Sequence, residues 1–306
     1  MKKVLVTGGS GFIGRHCLPV LVANRYEVHA VSIIPEDPLP HIHWHVVDLL
    51  NPEEVNKLLA KVKPTHLLHL SWYTVMGKYW TSLENIRWVQ ASLELLRVFA
   101  ANGGKRVVMA GTCAEYEWKY ELYSEQTTPL VPATLYGAYK HALHIMVDAF
   151  CKQTELSYAW GRIFFLYGPH EHPDRLVSSV IRSLLQGEPA RCSHGNQVRD
   201  FLHVEDVAHA FVTLLDSDIE GAVNIGRGTP TSIREVVEII GDQLHGKHLI
   251  QFGVLPAPPN DPPVLIADTH RLNSIGWRPK YDLESGLEQT IAWWKTNLIT
   301  AKRSQK

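Results

Sequence analysis

The chain has 306 residues, enough for one large α/β domain or for a large domain with a smaller lobe. Apolar residues make up 45% and charged residues 20%, and the formal net charge is −1, so no global field favours nucleic acid or an anionic membrane. No run approaches the ~20 apolar residues of a membrane span; the N-terminus enters a strand without a signal-peptide core, and the four cysteines form no CxxC, which points to a reduced, cytoplasmic protein.

In chain order, "KVLVTGG" reads as a strand and "IGRHCLPVLVANR" as a helix, followed by strands "EVHAVS" and "IHWHVVDL". "PEEVNKLLAKV" opens with Pro52 and two acids, as helix starts prefer. Strand "THLLHLS", a long helix over Leu83–Ala101, strand "KRVVMAGT", a helix over Ala133–Phe150 and one long strand "LSYAWGRIFFLYG" complete the first half. Strands alternating with helices imply a doubly wound parallel sheet covered on both faces. The second half is mixed, with helices "PDRLVSSVIRSLLQG", "VEDVAHAFVTLLD", "SIREVVEIIGDQL" and "SGLEQTIAWWKTNL", short strands "VRDFLH" and "GAVNIG", and a proline-rich loop across Leu255–Pro263.

The stretch "VLVTGGSGFIGRH" sets Gly8, Gly11 and Gly14 between a strand and a helix. That context suits a dinucleotide: a tight turn, close backbone approach to a diphosphate, and a helix N-terminus facing the phosphates. The second strand ends in Ser32 where NAD-binding folds usually place an acid, so a 2′-phosphate is not repelled and the reading tilts to NADP, with NAD the alternative. Asp48 and Leu49, ending the third strand, are placed for the adenine edge.

Of the eleven tyrosines only Tyr136 is followed four positions later by lysine, Lys140, on one helix face. A phenol titrates near ~10, and a neighbouring ammonium favours its phenolate. Thr112, ending a strand 24 residues upstream, offers a hydroxyl where open α/β sheets bind ligands. Together the three suit proton exchange with a carbonyl oxygen.

With "TGGSGFIG", Asp48-Leu49, Thr112, Tyr136/Lys140, "YGP" at Tyr167–Pro169 and "RDFLHVEDVAHA" from Arg199 in order, the chain resembles an extended short-chain dehydrogenase/reductase of the NAD(P)-dependent sugar epimerase/dehydratase group. The resemblance implies an α/β Rossmann domain over 1–167 and 198–225 and a smaller mixed C-terminal substrate lobe over 168–197 and 226–306. It implies cofactor contacts at Gly8, Gly11, Phe12, Ile13, Gly14, Ser32, Asp48, Leu49, Leu70, Ser71, Tyr136, Lys140 and Phe164. A nucleotide-activated sugar would bind near Thr112, His170, Arg175 and Arg199, and two chains would pair through the two long helices as a homodimer; the aromatic set Trp72, Tyr73 and Trp80 after a strand end reads equally as substrate-cleft lining, a loop lid or plain core.

Within the group, 4,6-dehydratases carry Asp-Glu directly after the hydroxyl residue; here Cys113-Ala114 follow, and Glu115 points elsewhere on an extended segment. A 4-epimerase keeps NAD and usually has an acid at the position of Ser32, so Ser32 favours an NADPH-dependent 4-ketoreductase acting on a 4-keto-6-deoxy nucleotide sugar. An epimerase-reductase would use His170 with a cysteine two residues after the hydroxyl, but Cys113 is only one residue on. A dinucleotide-sensing regulator is the non-enzyme reading, and the intact Tyr136/Lys140 pair argues against it. Phe165 stands where many relatives have Asn, and Pro258 where many have a diphosphate-clamping Arg, which leaves Arg199 and then Arg175 for the phosphates. No metal is expected: His41, His43 and His45 read as solvent-facing, and His141 and His144 as packing or interface residues.

Overall fold

The computed structural model describes residues 2–34, 36–257 and 261–304, with side chains through residue 298. The elements in chain order are β1 (Lys3–Thr7), α1 (Gly14–Ala23), β2 (Glu27–Ser32), β3 (Ile42–Val46), α2 (Pro52–Val62), β4 (His66–His69), α3 (Glu84–Ala101) and β5 (Arg106–Thr112). Next come β6 (Leu122–Tyr123), α4 (Leu135–Thr154), β7 (Ser157–Ile163), β8 (Phe165–Tyr167), α5 (Leu176–Gln186), β9 (Ala190–Arg191), β10 (Val198–Arg199), β11 (Phe201–His203) and α6 (Val204–Asp216). The chain closes with β12 (Gly221–Ile225), β13 (Thr231–Ser232), α7 (Ile233–Gln243), β14 (Ile250–Gln251), β15 (Val264–Ala267), α8 (His270–Ser274) and α9 (Leu283–Ser304).

Seven strands form one parallel sheet in the order β12-β7-β5-β4-β1-β2-β3. Val4, Leu5 and Val6 are wholly buried because each sheet face is covered. One core packs α1 and α6 through Leu18, Leu21, Phe211 and Leu214; the other packs α2, α3 and α4 through Leu59, Leu95, Phe99, Leu143 and Val147. Each such side chain contributes roughly 1.5–3 kcal/mol of burial. The strand order reverses between β1 and β4, and the crevice at their C-terminal ends is where such sheets bind ligands.

Local sequence explains the elements that carry the site. α4 is capped by Thr134, whose hydroxyl accepts from the Gly137 amide at 3.1 Å. Gly137 then lets the helix start lie against the turn after β5: a Cβ there would meet the Ala114 carbonyl oxygen at 2.2 Å. That approach holds Tyr136 next to Thr112. Pro52 opens α2 as the sequence implied, and Asn51 caps it by accepting from the Glu53 amide.

Two expectations are corrected. The run read as one long strand breaks at Phe164: β7 stays in the main sheet, while β8 leaves it to pair with β11. "VRDFLH" is likewise two short strands in different sheets, β10 pairing β13 and β15 and β11 pairing β8. Helices α5, α7 and α9 share a third core built from Val180, Ile181, Val236, Ile240, Leu287 and Trp294. Among the described residues no helix is long and apolar enough to cross a membrane. The four cysteines are free and buried.

Candidate active site

The glycine turn joins β1 to α1 at the sheet's switch point. A Cβ on Gly14 would lie 2.0 Å from the Gly8 carbonyl oxygen and under 3 Å from two more backbone atoms, so only glycine closes this turn. Leu70 and Ser71 come off the end of β4 and lie against Gly8, their amides reaching Thr7. Ile13 caps α1, and the Phe12 ring meets His16 edge-on. Leu49 is buried in the core; Asp48 is exposed and turns the chain by accepting from the Leu50 amide at 2.9 Å. Phe164 lies apart from this turn, buried against Tyr116 and Tyr123.

At the end of β2 the structure adds what the sequence did not suggest. The loop after β2 folds back, so that the buried Ser32 hydroxyl faces the Glu36 carboxylate at 3.2 Å and also bonds the Ile34 carbonyl. A carboxylate therefore stands at the position where the sequence showed only a hydroxyl.

Thr112, Tyr136 and Lys140 converge beyond the ends of β4 and β5. Burial pushes the Tyr136 phenol above its usual range; Tyr79 adds to this, and a hydrogen bond with the Thr112 hydroxyl works the other way. Lys140 is buried, donates to the Ala110 carbonyl at 2.9 Å and sits 3.6 Å from the centre of the Trp72 ring. Burial pushes its ammonium down to about 7, partly offset by Glu115. Tyr79 and Trp80 meet the Tyr136 ring edge-on at 5.1 and 5.6 Å, and the Tyr136 amide donates to the Trp80 carbonyl at 3.2 Å. Arg175, just before α5, stands near the Tyr79 hydroxyl, where its charge works against the upward push that burial gives that phenol. Tyr73 packs into the core beside α3 and α4, and Trp72 is buried rather than presented to the cleft.

Beneath this group lies a buried polar cluster. The Glu115 carboxylate accepts from the Thr112 amide at 2.8 Å, from the Trp160 indole at 2.9 Å and from Arg162 Nε at 2.9 Å. Cys113–Glu115 form a short 3₁₀ turn and not the extended segment the sequence suggested; the turn folds the Glu115 carboxylate back onto the Thr112 amide and into this cluster. Arg162 continues to the Tyr116 hydroxyl at 3.1 Å and to His144 Nδ1 at 3.3 Å, and His144 stacks on Trp160. Glu115, His141 and His144 bring ligand-type atoms within 4.8 Å of one another, but the carboxylate is already neutralised by the Arg162 guanidinium.

Other candidates are engaged elsewhere. Arg199 is buried, donates to Asp261 at 2.7 Å and to the Val198 carbonyl at 2.8 Å, and lies over the Phe165 ring. Pro258 lies outside the described residues. His170 bonds Arg15 at 2.6 Å and packs on Trp293, so it is not brought to Tyr136. His45 does not simply face solvent: it shares a 2.9 Å hydrogen bond with His29, and the two rings stack. In the lobe, Glu171 is buried, accepts from Ser178 Oγ at 2.9 Å, and is pushed up to about 7 by burial, with Ser178 and Arg175 opposing the shift.

A family model described as "NAD dependent epimerase/dehydratase family" matches residues 4–226. UDP-glucuronic acid decarboxylase 1 of Danio rerio is 28% identical over 311 residues, spanning 97% of this chain and 73% of that protein. Among solved structures, MoeE5 in complex with UDP-glucose and NAD is 30% identical with a TM-score of 0.85, covering 97% of this chain and 99% of that one. UDP-glucose 4-epimerase of Thermus thermophilus, a complex with NAD, is 27% identical with a TM-score of 0.82, covering 96% of this chain and 99% of that one.

Proposed function

The chain belongs to the NAD dependent epimerase/dehydratase family, and from that premise we propose that it oxidises and re-reduces one carbon of a nucleotide-activated sugar with NAD, as a 4-epimerase does. The observation that carries this reading is the Glu36 carboxylate at Ser32. A carboxylate there accepts a ribose 2′-hydroxyl and repels a 2′-phosphate, which turns the NADP tilt of Ser32 towards NAD. The glycine turn supports a dinucleotide, since the space a Gly14 side chain would need is taken by backbone. NAD as a ligand of MoeE5 and of the Thermus thermophilus enzyme points the same way.

In this reading NAD supplies the hydride acceptor and later the hydride donor. Tyr136 takes the proton from the sugar hydroxyl as phenolate and returns it when the ketone is reduced on its other face. Burial opposes the phenolate, while the Thr112 hydroxyl favours it; a positive Lys140 one turn along the same helix acts in the same direction. Thr112 also shares the reacting oxygen, and Arg175 stands across the cleft for the substrate. The buried, paired Arg199 shapes the wall beside Phe165.

Net dehydration is disfavoured because Cys113 and Ala114 follow Thr112 and Glu115 is bound to Arg162. An epimerase-reductase is disfavoured because His170 is held by Arg15, and burial pushes the Cys113 thiol up to about 12. The NADPH-dependent 4-ketoreductase is the second reading, favoured by the fact that Glu36 belongs to a loop and not to β2 itself. We propose a homodimer through α3 and α4; the exposed Ile86, Ile145 and Met146 support that face. The test is to release cofactor from the purified protein and to assay 4-epimer pairs of nucleotide sugars without added NADPH. Bound NAD with epimer interconversion supports the proposal. NADPH oxidation by 4-keto-6-deoxy nucleotide sugars without interconversion replaces it with the second reading.

A further inference from the structure

We propose that Trp72, held by Asn85, is a positioning residue: its indole face seats the Lys140 ammonium, and the same asparagine sets the loop that packs against Tyr136. The inference rests on the reading of Tyr136 and Lys140 as the reacting pair, but the seat can be tested apart from any turnover.

Lys140 is a buried cation with few partners. Among the described residues its hydrogen bond goes to the neutral Ala110 carbonyl, at 2.9 Å. Among the described residues no carboxylate bonds it; Glu115, the acid that favours its charge, acts through space. His69 on β4 faces it as well, but that imidazole is buried between Thr7 and Ser92, and burial, with Lys140 adding, pushes it down to about 3, so it is neutral. Tyr136, one turn back on α4, is raised by burial, so in the protein without cofactor it offers the ammonium no negative charge. What remains close to the ammonium is the Trp72 ring face, 3.6 Å from Nζ to the ring centre. Desolvated cation–π contacts of this kind shift a protonation equilibrium by about tenfold or more.

The identity of the ring matters because its edge is also used. Trp72 Nε1 donates to Asn85 Oδ1 at 2.8 Å. Asn85 Nδ2 donates to the Tyr79 and Ser82 carbonyls, each at 2.8 Å. Asn85 is wholly buried at the start of α3, with its carbonyl and both amide hydrogens engaged. One side chain thus fixes the indole under Lys140 and pins the loop whose Tyr79 and Trp80 rings meet Tyr136.

The test reads Lys140 directly in protein without cofactor or substrate. Lysines are reductively methylated with ¹³C-labelled formaldehyde and titrated by NMR, with the Lys140 signal assigned by its loss in Lys140→Arg. The inference expects Trp72→Leu to lower the Lys140 midpoint by about one pH unit, Asn85→Ala to lower it by less, and Trp72→Phe to restore most of the wild-type value. Replacing the tryptophans with a fluorotryptophan keeps the fold and weakens the ring face, and should lower the midpoint in the same direction. An unchanged midpoint in folded Trp72→Leu, or in the fluorotryptophan protein if that variant does not fold, overturns the inference. Because no turnover is measured, this result stands apart from the epimer assay.

Discussion

Glu171→Gln should stabilise this protein at alkaline pH and not at acid pH. The carboxyl is 4% exposed, and burial raises it from 4.5 to about 7. The folded state therefore holds this proton more tightly than the unfolded chain does. The stability it contributes is complete below pH 4.5 and is lost as pH rises through 7. At about 1.4 kcal/mol per unit, the cost of carrying an ionised Glu171 grows by about 2–3 kcal/mol between pH 5 and pH 8. Glutamine does not titrate and can accept the same hydrogen bond from Ser178, so any fixed packing effect of the change is equal at both pH values. Urea denaturation of both proteins at pH 5 and pH 8 gives the difference of differences directly. A variant whose stability relative to wild type is the same at the two pH values would refute the reasoning, because Glu171 would then be ionised in the fold at no cost.

Four further outcomes follow from the site. Tyr136→Phe should leave the circular dichroism spectrum unchanged and reduce turnover by about 10²–10⁴-fold, the range for loss of a general acid–base group; unchanged turnover would remove Tyr136 from the chemistry. Gly14→Ala should abolish dinucleotide binding in a fluorescence titration, since its Cβ would lie 2.0 Å from the Gly8 carbonyl oxygen. Glu36→Arg should move the ratio of NADP to NAD dissociation constants in favour of NADP by on the order of a hundredfold, by replacing a repulsive charge with an attractive one; an unmoved ratio would place the ribose elsewhere. Arg162→Met should cost about 3–5 kcal/mol in urea denaturation, because it leaves Glu115 buried and unpaired.

The residues proposed to react were legible in the sequence because local structure brings them close. Tyr136 and Lys140 are one helical turn apart, and Thr112 ends a strand whose neighbours end at the same level. The glycine turn is legible for the same reason, as strand, turn and helix are contiguous. What escaped the sequence depends on long-range meetings. Arg199 reads as a phosphate ligand until Asp261, 62 residues away, is seen to hold it. Trp72 reads equally as cleft lining, lid or core until Lys140 is found on its face. Glu115 and Arg162 are 47 residues apart and carry no motif. Glu36 is only four residues from Ser32, yet only the path of the loop between them says that they meet.

The corner at Phe164 gives the two halves of the molecule a common ruler. One covalent run leaves β7, locked in register with β5 and β12, and enters β8, locked in register with β11. Eleven residues after that corner stands Arg175, the side chain that faces Tyr79 and, behind it, Tyr136. The placement of Arg175 against Tyr79 therefore starts from hydrogen-bonded strand register on both sides of one residue, and is a property of the sheet as well as of the loop that joins β8 to α5.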